Sequence, residues 1–440
     1  KRVLKRKQAR GTRKMDNWWI YDTSLWLVAG GTMLLSITAA LVGGFTFLQK
    51  RSLVGDAVAH SILPGVAIAF LISGQKDPLW LMLGALISGW LSLAVMDYLN
   101  KHTKLSEDTA IASVLSVFFG VGILLLTYIQ KKASGEQSGL EGFLFGQAAA
   151  MRLNDLYTYC ALALLLISIT IVFFKEFKLL SFNPEFAQSL GLPVGILRVL
   201  LNSMMVLAIA LGIQAVGVVL MAALLITPSA AARNLSNGLK GMLWVSVIVA
   251  GFSALVGTLI SFSAPSMPTG PWVVICLSAI ALLSLFLAPQ KGLVARLMMQ
   301  KRHQKKITDE NLLKAIYHLG EKENSFAAWF HVEEITGIRD FETDVLKSAL
   351  KRLIRKGHLL RQRHSFQFSR AGLDEARRIV RLHRLWEMYL NKRLRLKADH
   401  IHPNAESMEH IISPEIEAQL LEELDYPERD PHQSPIPYKP

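Results

Sequence analysis

Two apolar runs, LWLVAGGTMLLSITAALVGGF and WVVICLSAIALLSLFLA, constrain this chain more than any other feature. Runs of this kind are long enough to cross a hydrocarbon layer of about 30 Å as helices. Similar stretches recur up to about residue 290 and none follows. A chain divided in this way predicts an all-α polytopic membrane half with about eight or nine transmembrane helices, followed by a polar domain.

The candidate spans are 24–48, 52–73, 78–99, 109–130, 154–174, 196–212, 214–232, 241–262 and 271–288. Residues 196–232 are one apolar stretch divided at Gly212 to Gly217, so eight spans is the alternative, and the Gly-rich segment 133–150 is a candidate for re-entry. Lys50, Arg51, Lys101, Lys104, Lys175, Lys178, Arg233 and Lys240 collect on one side, against Lys76, Lys131, Lys132 and Arg152 on the other. The richer side, and the C-terminal domain with it, is therefore expected in the cytoplasm of a multi-pass cell (inner) membrane protein. Nine spans place the N-terminus outside, which the basic arm opposes. A different span count, or an interfacial anchor at Trp18-Trp19-Ile20-Tyr21, are the alternatives.

The net charge of +14 is unevenly spread: Lys1 to Lys14 carries +8, residues 15–289 about +1 and residues 290–440 about +5. Such a basic arm reads as a solvated or lipid-facing tail rather than a nucleic-acid site. Cys160 and Cys276 both lie inside apolar runs, which argues against disulfides and thiolate metal sites. A sequence opening on Lys1 rather than Met carries no information on a cleavable signal segment.

The second span, SLVGDAVAHSILPGVAIAFLIS, sets Asp56 and His60 one turn apart on one helical face. Ionisable residues at such depth are costly unless they serve a pathway or have a partner. Carboxylate with imidazole suits Mn, Fe or Zn, and two copies in a symmetric dimer would let two Asp neutralise one divalent cation. The bland alternative is that Asp56 caps the helix and His60 bonds a backbone carbonyl.

SLVGDAVAHSILPGVAIAFL, SFNPEFAQSLGLP, GVVLMAALLITPSAAARNLS and PSMPTGPWVVI resemble, in order, four motifs of the ABC-transporter permeases for manganese, zinc and iron uptake. The resemblance spans about residues 24–288 and implies a metal transport site at Asp56 and His60. It also implies a cytoplasmic segment that docks on an ATPase, with Asn183, Pro184, Glu185, Ala187 and Gly191 in the motif and Asn183 standing where Asp is common. No GxxxxGK[ST] loop occurs. The chain is thus expected to be a transport subunit and no enzyme, with ATP bound by a separate subunit. A second permease copy, an extracytoplasmic metal-binding protein and membrane lipid complete the expected partners.

Residues 290–306 form a basic linker suited to anionic lipid. Then ITDENLLKAIYHLGEK, HVEEITG and ETDVLKSALKRLIRKGH read as helices and RQRHSFQFS as a strand pair, a winged-helix order over 307–370. Within 371–440, His383 and Glu387 are spaced i, i+4, and Glu406, Glu409 and His410 share a face, the mixed oxygen and nitrogen set that divalent metals take. Charged surface helices with incidental His are the alternative. EHIISPEIEAQLLEEL and DPHQSPIP resemble the diphtheria-toxin-repressor and manganese-transport-regulator group. That resemblance implies a helical metal-binding and dimerisation domain with ligands His383, Glu406, Glu409 and His410, and Glu387 and His402 as ancillary candidates.

Two departures qualify it. Asn311 and Lys314 stand where manganese regulators place carboxylates on their first helix, so the site is incomplete or remodelled. Asp340, Glu342 and Asp344 open the presumed recognition helix, where they would face phosphates unfavourably and so argue against DNA as a partner. The expected function is the permease subunit of an ATP-driven importer of Mn, Fe or Zn, with a cytoplasmic metal-sensing domain. The alternatives are a membrane-tethered or released metal-dependent transcriptional regulator that binds DNA, and a metal receptor without transport.

Overall fold

The computed structural model describes residues 23–49, 51–75, 77–131, 146, 148–264, 267–394 and 412–438. Contacts divide them into two units, one ending at Ala295 and one beginning at Arg296.

In the first unit, backbone groups that meet no water must bond within their own segment, and every described apolar run is helical. The order is α1 (Thr23–Leu48), α2 (Ser52–Ser61), α3 (Leu63–Ser73), α4 (Pro78–His102), α5 (Glu107–Lys131), α6 (Leu153–Val172), α7 (Phe174–Phe182), α8 (Pro184–Ser189), α9 (Val194–Val216), α10 (Val218–Leu235), α11 (Leu239–Ser263) and α12 (Thr269–Leu287). Among the described residues, eight helices are long and apolar enough to cross a membrane, with α2 and α3 forming one of them. The expected span 214–232 corresponds to α10, whose apolar part, Leu220–Leu235, is shorter. Gly217 separates α9 from α10 with φ of 82°, a backbone conformation open to glycine and strained for other residues. Of the segment 133–150, only Gly146 and residues 148–150 are described, the latter as a single 3-10 turn.

Helix α1 is the hub, packing on α6, α9, α10 and α11. Polar contacts also join neighbouring helices: Thr32 meets Thr258 at 3.1 Å across α1 and α11, and Ser246 Oγ donates to Ser229 Oγ at 3.3 Å across α11 and α10. Between α3 and α4, Gly65 and Gly84 lie face to face, and a methyl group on either would run into the other's carbonyl. Close backbone approach of this kind replaces the hydrophobic drive that lipid cannot supply. Lys291, just past α12, donates to Arg233 O at 3.3 Å and Ser236 O at 2.5 Å, so the ends of α10 and α12 share one side, as the Lys and Arg distribution requires.

The second unit begins within α13 (Leu293–Lys322), one unbroken helix that takes in most of the basic stretch 290–306. It continues with β1 (Phe330–His331), α14 (Val332–Ile338), α15 (Thr343–Arg355), β2 (Leu359–Gln362), β3 (Ser365–Phe368), α16 (Arg370–Leu394) and α17 (Pro414–Glu423). The strands pair antiparallel in the order β1-β3-β2, with Leu359 opposite Phe368 and Gln362 opposite Ser365. Helix α15 buries Leu346, Ala349, Leu350 and Leu353, an i, i+3, i+4, i+7 stripe, against Leu312, Ile316, Phe330 and Phe366. This is the expected winged-helix order plus a two-residue first strand.

Buried ion pairs fix the frame around that core. Asp309, 4% exposed, accepts from Arg352 Nε at 3.0 Å and Lys356 Nζ at 2.9 Å. Arg381 reaches Glu417 of α17 at 2.6 Å, and Arg384 donates to Glu321 at 2.8 and 2.9 Å and to the carbonyl of Pro435. The terminal DPHQSPIP segment folds on itself, with Asp430 Oδ1 accepting from the backbone N–H groups of His432 and Ser434 at 2.8 Å each.

Burial opposes ionisation of Glu321, yet hydrogen bonds from His318 and Arg384 and their charges hold its carboxyl below the usual carboxylate range. The stability this group contributes is therefore complete above the ordinary carboxylate pKa and is lost as pH falls through its lowered folded value. Thermal melts of the purified chain from pH 7 to pH 3 should show a transition falling with acidity, and Glu321→Gln should flatten that dependence. In the membrane unit, Gly84→Val should cost about 1–3 kcal/mol through overpacking, read as a lower melting midpoint in detergent.

Candidate metal sites

The interrupted second span builds the membrane site. Pro64 has no N–H to give the helical ladder, and α2 stops at Ser61 and α3 starts at Leu63, just past His60. The carbonyl whose helical donor Pro64 removes is that of His60, and at the next residue the carbonyl of Ser61 accepts from Ser88 Oγ of α4 at 2.6 Å. On α2, His60 Nε2 lies 3.6 Å from Asp56 Oδ1, and Phe119 of α5 sets its ring edge-on to the imidazole at 5.1 Å. His60 Nδ1 is buried with no hydrogen-bond partner among the described residues. At the start of α2, Arg51 pairs with Glu107 at 2.5 Å and Asp97 at 3.4 Å, which ties this end of the helix to α4 and α5.

Asp56 does not cap α2, since it sits in the middle of Ser52–Ser61, and among the described residues His60 Nδ1 bonds no carbonyl. For the pair, neither a helix cap by Asp56 nor a carbonyl contact by His60 is thus found among the described residues. Its side chains keep 40% (Asp56) and 25% (His60) of their surface in the single chain, so the pair lies at an accessible face of an apolar bundle. Ser88 and Phe119 were not legible as site neighbours, because no spacing rule links residues on different helices.

The segment 181–193 forms the end of α7, then α8 and its exit turn. Asn183 caps α8, its side-chain oxygen accepting from Phe186 N at 2.9 Å, so it performs the structural task that Asp would. Pro184 opens the helix, Glu185 lies in its first turn, Ala187 is fully buried and Gly191 closes it at φ of 79°. Phe182, Phe186 and Leu190 stand out at 57%, 51% and 57% exposure, an apolar set beside the motif residues.

In the second unit, His383 and Glu387 come together on α16, with His383 Nε2 3.1 Å from Glu387 Oε1. Both are buried, at 4% and 2% exposure. Glu406, Glu409, His410 and His402 lie outside the described residues. Among those described, no three His, Cys, Asp or Glu side chains converge as a metal site. Lys314 of α13, itself 5% exposed, places Nζ 3.1 Å from His383 Nδ1. His383 is thus placed between Lys314 and Glu387, and each of the three has further contacts beyond these. Among the described residues, this corner offers too few ligands for a divalent ion.

The basic surface of α15 is likewise partly committed, because Arg352 and Lys356 are turned to Asp309.

Comparison with known proteins agrees with this architecture. The model of the ABC 3 transport family matches residues 22–288, and that of the iron dependent repressor metal binding and dimerisation domain matches residues 369–438. The chain is 39% identical over 377 residues to the manganese transport system membrane protein MntC of Bacillus subtilis, covering 86% of each chain. It is 38% identical over 281 residues to the zinc transport system membrane protein TroC of Treponema pallidum, covering 64% of this chain and 94% of that one. The solved structure of PsaBC from Streptococcus pneumoniae superposes with a TM-score of 0.56 at 29% identity, over 63% of this chain and 95% of the other. With a multi-helix apolar bundle, four ordered motifs and a family match across the whole of it, this chain belongs to the ABC 3 transport family of membrane permeases and carries an iron-dependent-repressor type domain at its C-terminal end.

Proposed function

We propose that this chain is the permease subunit of an ATP-driven importer of a divalent transition metal, Mn, Fe or Zn, working as a homodimer in the cell membrane. One observation carries the reading. An Asp56–His60 pair sits at an accessible face of an apolar bundle, beside a break in its helix, with an imidazole nitrogen left without a partner. Lipid is a poor neighbour for such a pair. A second copy of the same face would cover it and bring two carboxylates to one divalent cation, neutralising both. The imidazole nitrogen then has a use as a ligand, and oxygen with nitrogen donors suits Mn, Fe and Zn alike. The relatives named as manganese and zinc transport proteins support this substrate class.

Energy enters through a separate nucleotide-binding subunit, for which the capped helix α8 and its stripe Phe182, Phe186 and Leu190 offer a docking surface. Apolar anchors at the centre of a contact dominate its affinity. On the outer side an extracytoplasmic metal-binding protein delivers the ion. The richer Lys and Arg side faces the cytoplasm and carries the second unit there. That unit is the regulatory body of the transporter, responding to internal metal through the domain family it matches. Coupling requires metal to favour one transporter state over the other. DNA is a poor partner for it, since Arg352 and Lys356 are already paired and Asp344 opens α15.

Labelled Mn uptake into proteoliposomes holding the permease with its nucleotide-binding subunit should fall at least tenfold in Asp56→Ala and in His60→Ala, with assembly unchanged. Undiminished uptake in both variants would remove the transport site from α2. Phe186→Asp should leave the permease folded but reduce its co-purification with the nucleotide-binding subunit several-fold. Unchanged co-purification would move the docking surface elsewhere.

A further inference from the structure

A metal-ligating histidine ordinarily donates its second ring N–H to a carboxylate, a carbonyl or water, and that bond fixes the plane of the imidazole. Among the described residues His60 has no such bond. Its Nε2 lies 3.6 Å from Asp56 Oδ1, beyond hydrogen-bond distance, and its Nδ1 is buried without a partner. What meets the ring instead is Phe119 of α5, with centroids 5.1 Å apart and planes at 84°, the edge-to-face arrangement that aromatic quadrupoles favour. The last torsion of a histidine side chain is broad when left to itself, and turning the ring changes that interplanar angle. The aromatic contact therefore selects a ring plane, as a hydrogen bond would.

Phe119 is itself held from two directions along α5. Glu107, in the first turn, pairs with Arg51 at the start of α2. Gly122, less than one turn beyond Phe119, packs so closely on Leu63 of α3 that a Cβ there would lie 2.9 Å from that side chain. Helix α5 thus touches the interrupted span on both sides of its break, and Phe119 stands between those contacts. We propose that Phe119 is the positioning residue for the metal ligand His60, its ring holding the imidazole in the orientation in which it serves a divalent ion together with Asp56. The inference rests on the reading of Asp56 and His60 as the transport site and adds the group that orients it. Because that group stands on a different helix from the ligand, affinity for the ion is tied to how α2 and α5 pack. A site whose affinity differs between two packings is what coupling to a conformational cycle requires.

The test uses the full-length chain in detergent with Mn(II) as probe, free Mn(II) being followed by its electron paramagnetic resonance signal. Binding at α2 is the part lost when Asp56→Ala and His60→Ala are combined. Phe119→Ala should weaken that part about fivefold, within what an edge-to-face aromatic pair supports, and Phe119→Tyr should bind as the parent chain does. Two further variants, with melting midpoints taken in chelator, separate orientation from packing. Phe118→Ala removes the same volume from the next residue of α5, which is also partly buried but has no ring contact with His60 among the described residues. It should lower the melting midpoint and leave the Mn(II) affinity unchanged. Phe119→Leu returns bulk without a flat ring, and should recover the midpoint lost in Phe119→Ala but not the affinity. Affinity unchanged in Phe119→Ala, lost equally in Phe118→Ala, or recovered in Phe119→Leu would each overturn the positioning role and leave the α2 site in place. Mn(II) binding by the combined Asp56→Ala and His60→Ala chain equal to that of the parent would remove the α2 site and the positioning role with it.

Discussion

A hydrocarbon layer supplies no hydrogen bonds, and the first unit follows from that deficit. It explains why the apolar runs are helical and why Thr32, Thr38, Thr46 and Thr170 turn their hydroxyls back onto carbonyls of the preceding turn. Beside Pro64, which removes the helical donor to the His60 carbonyl, Ser88 of α4 donates to the neighbouring carbonyl of Ser61. His60 Nδ1 is one of several buried polar atoms without a hydrogen-bond partner among the described residues, the hydroxyls of Ser36, Ser61, Ser181 and Ser253 being others, and among these an imidazole nitrogen is the donor that transition metals favour.

The second unit solves a different problem. Its charged side chains cannot all reach water, and Asp309, Arg381, Arg384, Glu387 and Asp430 are buried and paired. Breaking such pairs by removing one partner costs far more than the pair contributes in isolation, so they act as specificity devices that hold α13, α15, α16, α17 and the terminal turn in one arrangement. Lys314 with His383 belongs to the same class of contact, with the difference that one member is a residue type able to bind metal.

Much of this was legible from residue patterns. Hydropathy located the spans, because hydrophobic length reads directly as crossing length, and the stripe Leu346, Ala349, Leu350, Leu353 announced α15. Asn183 was readable as part of a docking motif but not as a cap, which needs the position of the Phe186 amide. The two-residue strand β1 escaped, since a period-2 pattern requires more than two residues to show. The extent of α13 was underestimated because a basic composition suggests a linker, whereas the stretch from Leu293 to Leu319 contains no Pro or Gly to stop a helix. Contacts between distant segments, Ser88 with Ser61 and Lys314 with His383, have no signature in spacing. They are set by which helices pack.

The break at Ile62 gives the second span two mechanical characters. Above it, α3 is clamped to α4 where Gly65 and Gly84 bring two backbones into contact, leaving no side chain to flex. Below it, α2 carries Asp56 and His60 among α5, α9 and α10, held at its far end by the Arg51 ion pairs. The two halves of the span are thus held by different means, backbone contact on one side of Pro64 and side-chain packing with ion pairs on the other, and the Asp56–His60 pair lies in the second half.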